Sequence, residues 1–92
     1  MALLDDVCKA LRTNNQDEVS DLIEAAKADL KLSGVHQGKI IDDDPLIKRA
    51  ITIYCKANYG YDEQGDRFQK SYDMLKMHLT LSKEYTESDD GW

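Results

Sequence analysis

Proline occurs once in this chain of 92 residues, and glycine only five times. So few breakers leave long stretches free to be helical, and no Pro- or Gly-rich linker divides the chain. The length alone sets one domain, because a second core would be too small to hold itself together. No apolar run approaches the roughly 20 residues of a membrane span, so no membrane partner is expected. Cysteine is limited to Cys8 and Cys55, which form no CxxC pair. The first thirty residues carry no secretory signal, so synthesis in a reducing cytoplasm is expected, with both thiols free and packed on helices. Basic residues are the scarcer charge: 12 Lys and Arg against 18 Asp and Glu leave a net −6. Such a chain repels phosphate and anionic lipid unless its few bases cluster, and favours neutral or basic protein surfaces.

What is present is an alternation of apolar stripes and charge, 41% apolar and 33% charged, which suits one solvated globular core. Four helical segments can be read. Leu4, Val7, Cys8 and Leu11 mark one face of a first helix over about residues 3–12, ended by Thr13, Asn14 and Asn15. The second opens at Asn15, an N-cap with Glu18 as its capping partner. It carries Val19, Leu22, Ile23, Ala26 and Leu30, and closes at Gly34 with Val35 folding back on Leu30. Residues 35–44 read as a loop anchored by Ile40 and Ile41. Asp44 as N-cap and Pro45 in the first turn start a third helix. Leu46, Ile47, Ala50, Ile51, Ile53, Tyr54 and Ala57 cover so much of its circumference that it should be central. A fourth begins near Asp66, paired with Gln69 as a capping box, and carries Phe68, Tyr72, Leu75 and Leu79, widened by Met74 and Met77. The expectation is an all-α domain over residues 1–83, of about four helices with the third central. An acidic tail over residues 84–92 has no stripe and is expected to be loose.

Signs of chemistry are sparse. His36 and His78 form no HExxH and no i, i+4 pair, and no metal site is expected. Asp42, Asp43 and Asp44 could gather a hard cation, but EF-hand spacing and its closing Glu are missing, and Asp44 is already explained as a cap. Gly34 and Gly38 follow no strand, so no phosphate-cradling loop is indicated, and nothing places a Cys or His beside an activating third group. The pattern points away from an enzyme and from any cofactor.

The bases that do cluster are Lys48, Arg49 and Lys56, beside Tyr59 and Tyr61 at the exit of the third helix. Such a group can serve nucleic acid, a solvated face or a subunit contact. The acidic total weighs against the first. The other two stay equally open; read as a subunit contact, the group offers Arg49, Lys56, Tyr59 and Tyr61 as interface residues.

Taken in order, Leu11-Arg12-Thr13, Asp17 with Leu22-Ile23-Glu24-Ala25-Ala26-Lys27, Asp44 through Ile51, Tyr54 through Gly60, and then Phe68 and Tyr72 resemble the small head–tail connector proteins of tailed bacteriophages and prophages, often labelled DNA-packaging proteins. The resemblance covers about residues 3–81. It implies a structural adaptor at the virion neck, assembled in the host bacterial cytoplasm. Its copies would form a ring below the portal protein, extend the DNA channel, and dock a tail-side connector or stopper protein. DNA would be met only in non-specific passage, and the family has no active site to transfer. The other class in view is a small helical regulator binding DNA or a transcription protein. Against it stand the long loop before the third helix and the acids that open that helix.

Overall fold

The computed structural model describes residues 3–59 and 65–86. Its elements in chain order are α1 (Leu3–Leu11), α2 (Gln16–Ser33), a short 3-10 turn (Gln37–Lys39), α3 (Pro45–Asn58), α4 (Gly65–Leu81) and α5 (Lys83–Thr86). No strand occurs among the described residues. The all-α domain read from the stripes is what forms.

α3 is the central element, packed against α1, α2 and α4. Ile47, Ala50, Ile51 and Cys55 are fully buried along one side of it. Against them lie Leu3, Val7 and Cys8 of α1, Val19, Ile23, Ala26 and Leu30 of α2, and Tyr72 and Leu79 of α4. Each fully buried Leu or Ile contributes about 1.5–3 kcal/mol, so this apolar seam supplies most of the favourable free energy. The Tyr54 and Tyr72 rings meet edge to face at 5.1 Å across the α3–α4 contact.

The helix ends follow their signposts with two departures. Asn15 Oδ1 accepts from the Glu18 N–H at 3.3 Å, while Asn15 Nδ2 donates to the Glu18 carboxylate at 3.0 Å. Gly34 takes the left-handed conformation at φ 116°, and the Val35 N–H reaches the Leu30 carbonyl at 3.0 Å, which completes the expected fold-back. Asp44 Oδ1 accepts from the N–H groups of Leu46 and Ile47 at 2.9 and 3.2 Å, with Pro45 opening α3. The first departure is at Asp66. α4 starts at Gly65, so Asp66 lies inside its first turn, and Gln69 donates to Asp73 at 3.0 Å instead of closing a capping box. The second is at the end of α1, where Arg12 itself adopts φ 57°. The Thr13 N–H then donates to Cys8 O at 3.1 Å and the Arg12 N–H to Lys9 O at 3.2 Å, the bond pattern a glycine would normally serve.

The expected loose tail also begins differently. Residues 83–86 form α5, and Tyr85 is buried. Its hydroxyl donates to the Asp44 carboxylate at 3.0 and 3.2 Å, and its carbonyl accepts from the His36 N–H at 2.7 Å. One aromatic with a polar tip anchors the segment where a periodic stripe is missing. The rest of the tail, residues 87–92, lies outside the described residues. The 35–44 segment is likewise built in: His36 Nδ1 accepts from the Gly38 N–H at 2.9 Å, Lys27 pairs with Asp42 at 3.0 Å, and Ile40 packs on the core.

Three further polar ties flank the core. Lys48 pairs with Asp6 at 2.7 Å, joining α3 to α1 and holding the Asp6 carboxyl below its usual range. The Thr13 and Tyr59 hydroxyls share a hydrogen bond of 2.7 Å. Asp29 of α2 accepts from the Tyr72 hydroxyl at 2.6 Å and from Lys76 at 3.0 Å, both on α4. Desolvation alone would raise the Asp29 carboxyl, but those two donors together outweigh it and lower it. Tyr72 moves up for the matching reasons, burial first and then its bond to Asp29.

Two stability measurements check these points. Arg12→Gly removes the left-handed strain at the end of α1 and should raise unfolding stability by about 0.5–1 kcal/mol in urea, after the entropy cost of glycine is deducted. Tyr72→Phe should cost about 1–2 kcal/mol at pH 7. Because the Asp29 carboxyl titrates lower folded than unfolded, its stabilisation is complete above the ordinary carboxylate pKa and lost as pH falls through the folded value. The gap between wild type and Tyr72→Phe should therefore shrink as pH is taken below about 4. A gap that stays constant with pH would mean the hydroxyl does not act through Asp29.

Candidate interaction surfaces

At 100° per residue, the buried side of α3 leaves Lys48, Arg49, Thr52, Ile53 and Lys56 on the opposite side. Together with Phe68 and Ser71 of α4 they line a groove of about 530 Å³. Its floor is apolar, from half-buried Ile53 and Phe68, and its rim is basic. The rim bases differ in what they already do. Lys48 is held by Asp6, and the Lys56 ammonium sits 5.5 Å from the centre of the Phe68 ring. Arg49 is exposed and has no ion-pair partner among the described residues.

Of the residues nominated from sequence, Arg49 and Lys56 therefore converge on one groove. Tyr59 is half-buried, and its hydroxyl is engaged with Thr13 at the turn between α1 and α2. Tyr61 lies outside the described residues.

Two other faces went unread in the sequence. The outward side of α2 carries Asp17, Asp21, Glu24 and Ala28, all exposed, and ends at Leu32, which is 87% exposed. The outward side of α4 carries Met74, Met77 and Leu81, at 63%, 61% and 77% exposure. The two methionines do not widen the core stripe of α4, as expected from their spacing, but stand on its far side from Tyr72 and Leu79. The signal was available: Met74, Met77 and Leu81 follow their own i, i+3, i+7 series, out of phase with the buried one. Contiguous exposed apolar side chains of this kind mark contact surfaces, and methionine adapts readily to a partner.

Across residues 3–86 the chain matches the family described as phage connector protein. The chain belongs to that family. No curated protein and no solved structure shows significant similarity to it. A phage connector is a structural, virion-associated kind of protein that works through contacts with other head and tail proteins.

The connector's potentially reactive groups are turned to structural use. Asp44 caps α3 and holds Tyr85, and Asp42 pairs with Lys27, so two of the three consecutive acids are engaged. Among the described residues no group of His, Cys, Asp and Glu is arranged to hold a metal ion. No helix among them is long and apolar enough to cross a membrane. Cys8 and Cys55 are both free and buried, and burial foremost pushes the Cys55 thiol up to about 12. A thiol so placed is a core side chain with almost no thiolate at neutral pH. Titration with a chromogenic disulfide at pH 8 should leave the folded connector essentially unlabelled and modify both thiols once guanidinium is added. Rapid labelling of folded protein would show that the α1–α3 seam opens.

Proposed function

We propose that this connector is a ring-forming adaptor at the neck of a tailed phage. Its copies sit below the portal protein, extend the channel through which DNA passes, and dock a tail-side connector or stopper protein. The match to the connector family along nearly the whole chain, residues 3–86, carries this reading. The chemistry of the chain supports it. A net −6 keeps a channel wall from gripping phosphate, so DNA is met only in passage. The exposed apolar faces and the basic groove give a small chain several separate places to meet protein. Arg49, Lys56, Tyr59 and Tyr61 are the proposed subunit contacts, Arg49 foremost because it is exposed and has no ion-pair partner among the described residues. Assembly takes place in the host bacterial cytoplasm, ahead of the finished virion.

Native mass spectrometry over a concentration series tests this. The expected result is one discrete closed oligomer that replaces the monomer as concentration rises, since head-to-tail contacts that close give rings. The protein should also pass through heparin at low salt. A dimer at every concentration together with retention on heparin would turn the assignment toward a DNA-binding regulator.

A further inference from the structure

The groove on α3 and α4 and the outward side of α2 differ in the sign of their charge and lie on opposite sides of the molecule. α2 packs on the core through Val19, Ile23, Ala26 and Leu30, so its Asp17, Asp21, Glu24 and Ala28 point away from α3. The groove lies on the far side of α3 from that same core. We propose that the outward side of α2 in one copy docks in the α3–α4 groove of the next. This deepens the ring-adaptor reading and rests on it, by naming which face of the chain meets which.

Charge carries the choice of a second copy as occupant. Asp17, Asp21 and Glu24 stand at i, i+4 and i+7 on one helix edge, and among the described residues their one ion pair is a long contact of 3.9 Å from Glu24 to Lys27. The groove offers Arg49 unpaired at its rim, with Lys48 and Lys56 beside it. A chain whose net charge is −6 should repel its own copies unless its few bases are set against its acids, and this pairing does that. Shape agrees. The stripe from Asp17 to Leu32 runs about 22 Å and the α3 side of the groove from Pro45 to Lys56 about 16 Å, by helix rise. An amphipathic helix edge in an apolar-floored groove is a recurring recognition mode. Small Ala28 allows close approach, and Leu32 supplies an apolar anchor toward Ile53 and Phe68.

Because the two faces lie on opposite sides of the chain, the contact is heterologous. Each docked pair leaves one groove and one α2 edge free for further copies until the ring closes. The Leu32 end of the edge is flanked by Lys31, so the attraction belongs to its N-terminal half, where Asp17 and Asp21 stand.

A charge-exchange experiment reads the pairing directly. One variant carries Arg49→Glu, the other Asp21→Lys with Glu24→Lys; all three positions are exposed, so both chains keep their cores. In native mass spectrometry each variant alone should need at least about tenfold more protein to assemble, since like charges then face each other. Mixed in equal amounts they should assemble again, as hetero-oligomers with an even number of subunits, because every contact in an alternating ring is restored. Misfolding cannot be rescued by mixing. Covalent capture adds a second readout. A chain with Ala28→Cys and Ser71→Cys should give a ladder of disulfide-linked multimers on mild oxidation, while the native thiols stay buried and silent. Variants that assemble alone as wild type does, with no ladder, would overturn the face pairing and leave the ring-adaptor reading standing. A chain that stays monomeric at the highest concentration with no ladder overturns the pairing as an intrinsic property of the chain. Failure of the adaptor reading itself would show differently, as a persistent dimer retained on heparin.

Discussion

A helix of fourteen residues that must touch three others has little latitude in where it starts. Shifting the register of α3 by one residue turns every side chain by 100°, bringing Lys48 and Thr52 toward the core and taking Ile47 and Ile51 out of it. Asp44 and Pro45 prevent that. The carboxylate satisfies the first free N–H groups of the helix, and the proline ring sets the backbone angle of its first turn. The same carboxylate receives the Tyr85 hydroxyl, so the start of α3 and the docking of α5 depend on one acid. His36 adds a backbone bond to the same tyrosine, which brings the end of α2, the start of α3 and the end of the described chain to a single point.

Away from that point, packing and polarity divide the work. The core contains no buried polar or charged residue among those described, and the polar ties sit at its margin, each partly open to water. Exposed ion pairs such as Lys27–Asp42 are individually worth little, with a median of about 0–1 kcal/mol. Their contribution is geometric. Asp6–Lys48, Thr13–Tyr59 and Asp29–Tyr72 each join a different pair of elements at the edge of the apolar seam, and so restrict sliding that uniform apolar contacts would tolerate.

Much of this was legible in the residues, for a physical reason. Helix starts and stops are decided locally, by Asn15, Gly34, Asp44 and Pro45, and local chemistry is what a sequence displays. The centrality of α3 followed from an apolar arc too wide for a surface helix. The departures come where a tertiary partner decides. Tyr85 has no periodic stripe around it, and its burial depends on a carboxylate 41 positions earlier. Met74 and Met77 are apolar, but the phase of α4 is set by Tyr72 reaching Asp29, which turns the methionines outward. Arg12 in the left-handed region has no sequence signature, since the turn is imposed by where α1 and α2 must both pack. The candidate surface was half legible: bases at helical spacing were visible, but the groove needs Phe68 and Ser71 from another helix.

The distribution of those bases bears on what kind of partner an acidic connector can attract. Lys27, Lys48 and Lys76 are occupied by Asp42, Asp6 and Asp29, and Lys56 lies over an aromatic ring. A lysine held by a carboxylate within its own fold offers phosphate little attraction, because binding it would mean giving up the internal pair. Asp17 and Asp21 of α2, by contrast, are exposed and have no ion-pair partner among the described residues, so the field the chain projects is more negative than local bases would imply. Of the three bases that line the groove, Arg49 is the one held by neither a carboxylate nor a ring, beside an apolar floor that no phosphate needs. That combination selects for a protein partner with a carboxylate next to an apolar contact. The scarcity of basic charge that first stood out in the sequence is thus compounded by the fold, which holds Lys27, Lys48, Lys56 and Lys76 to its own carboxylates and ring.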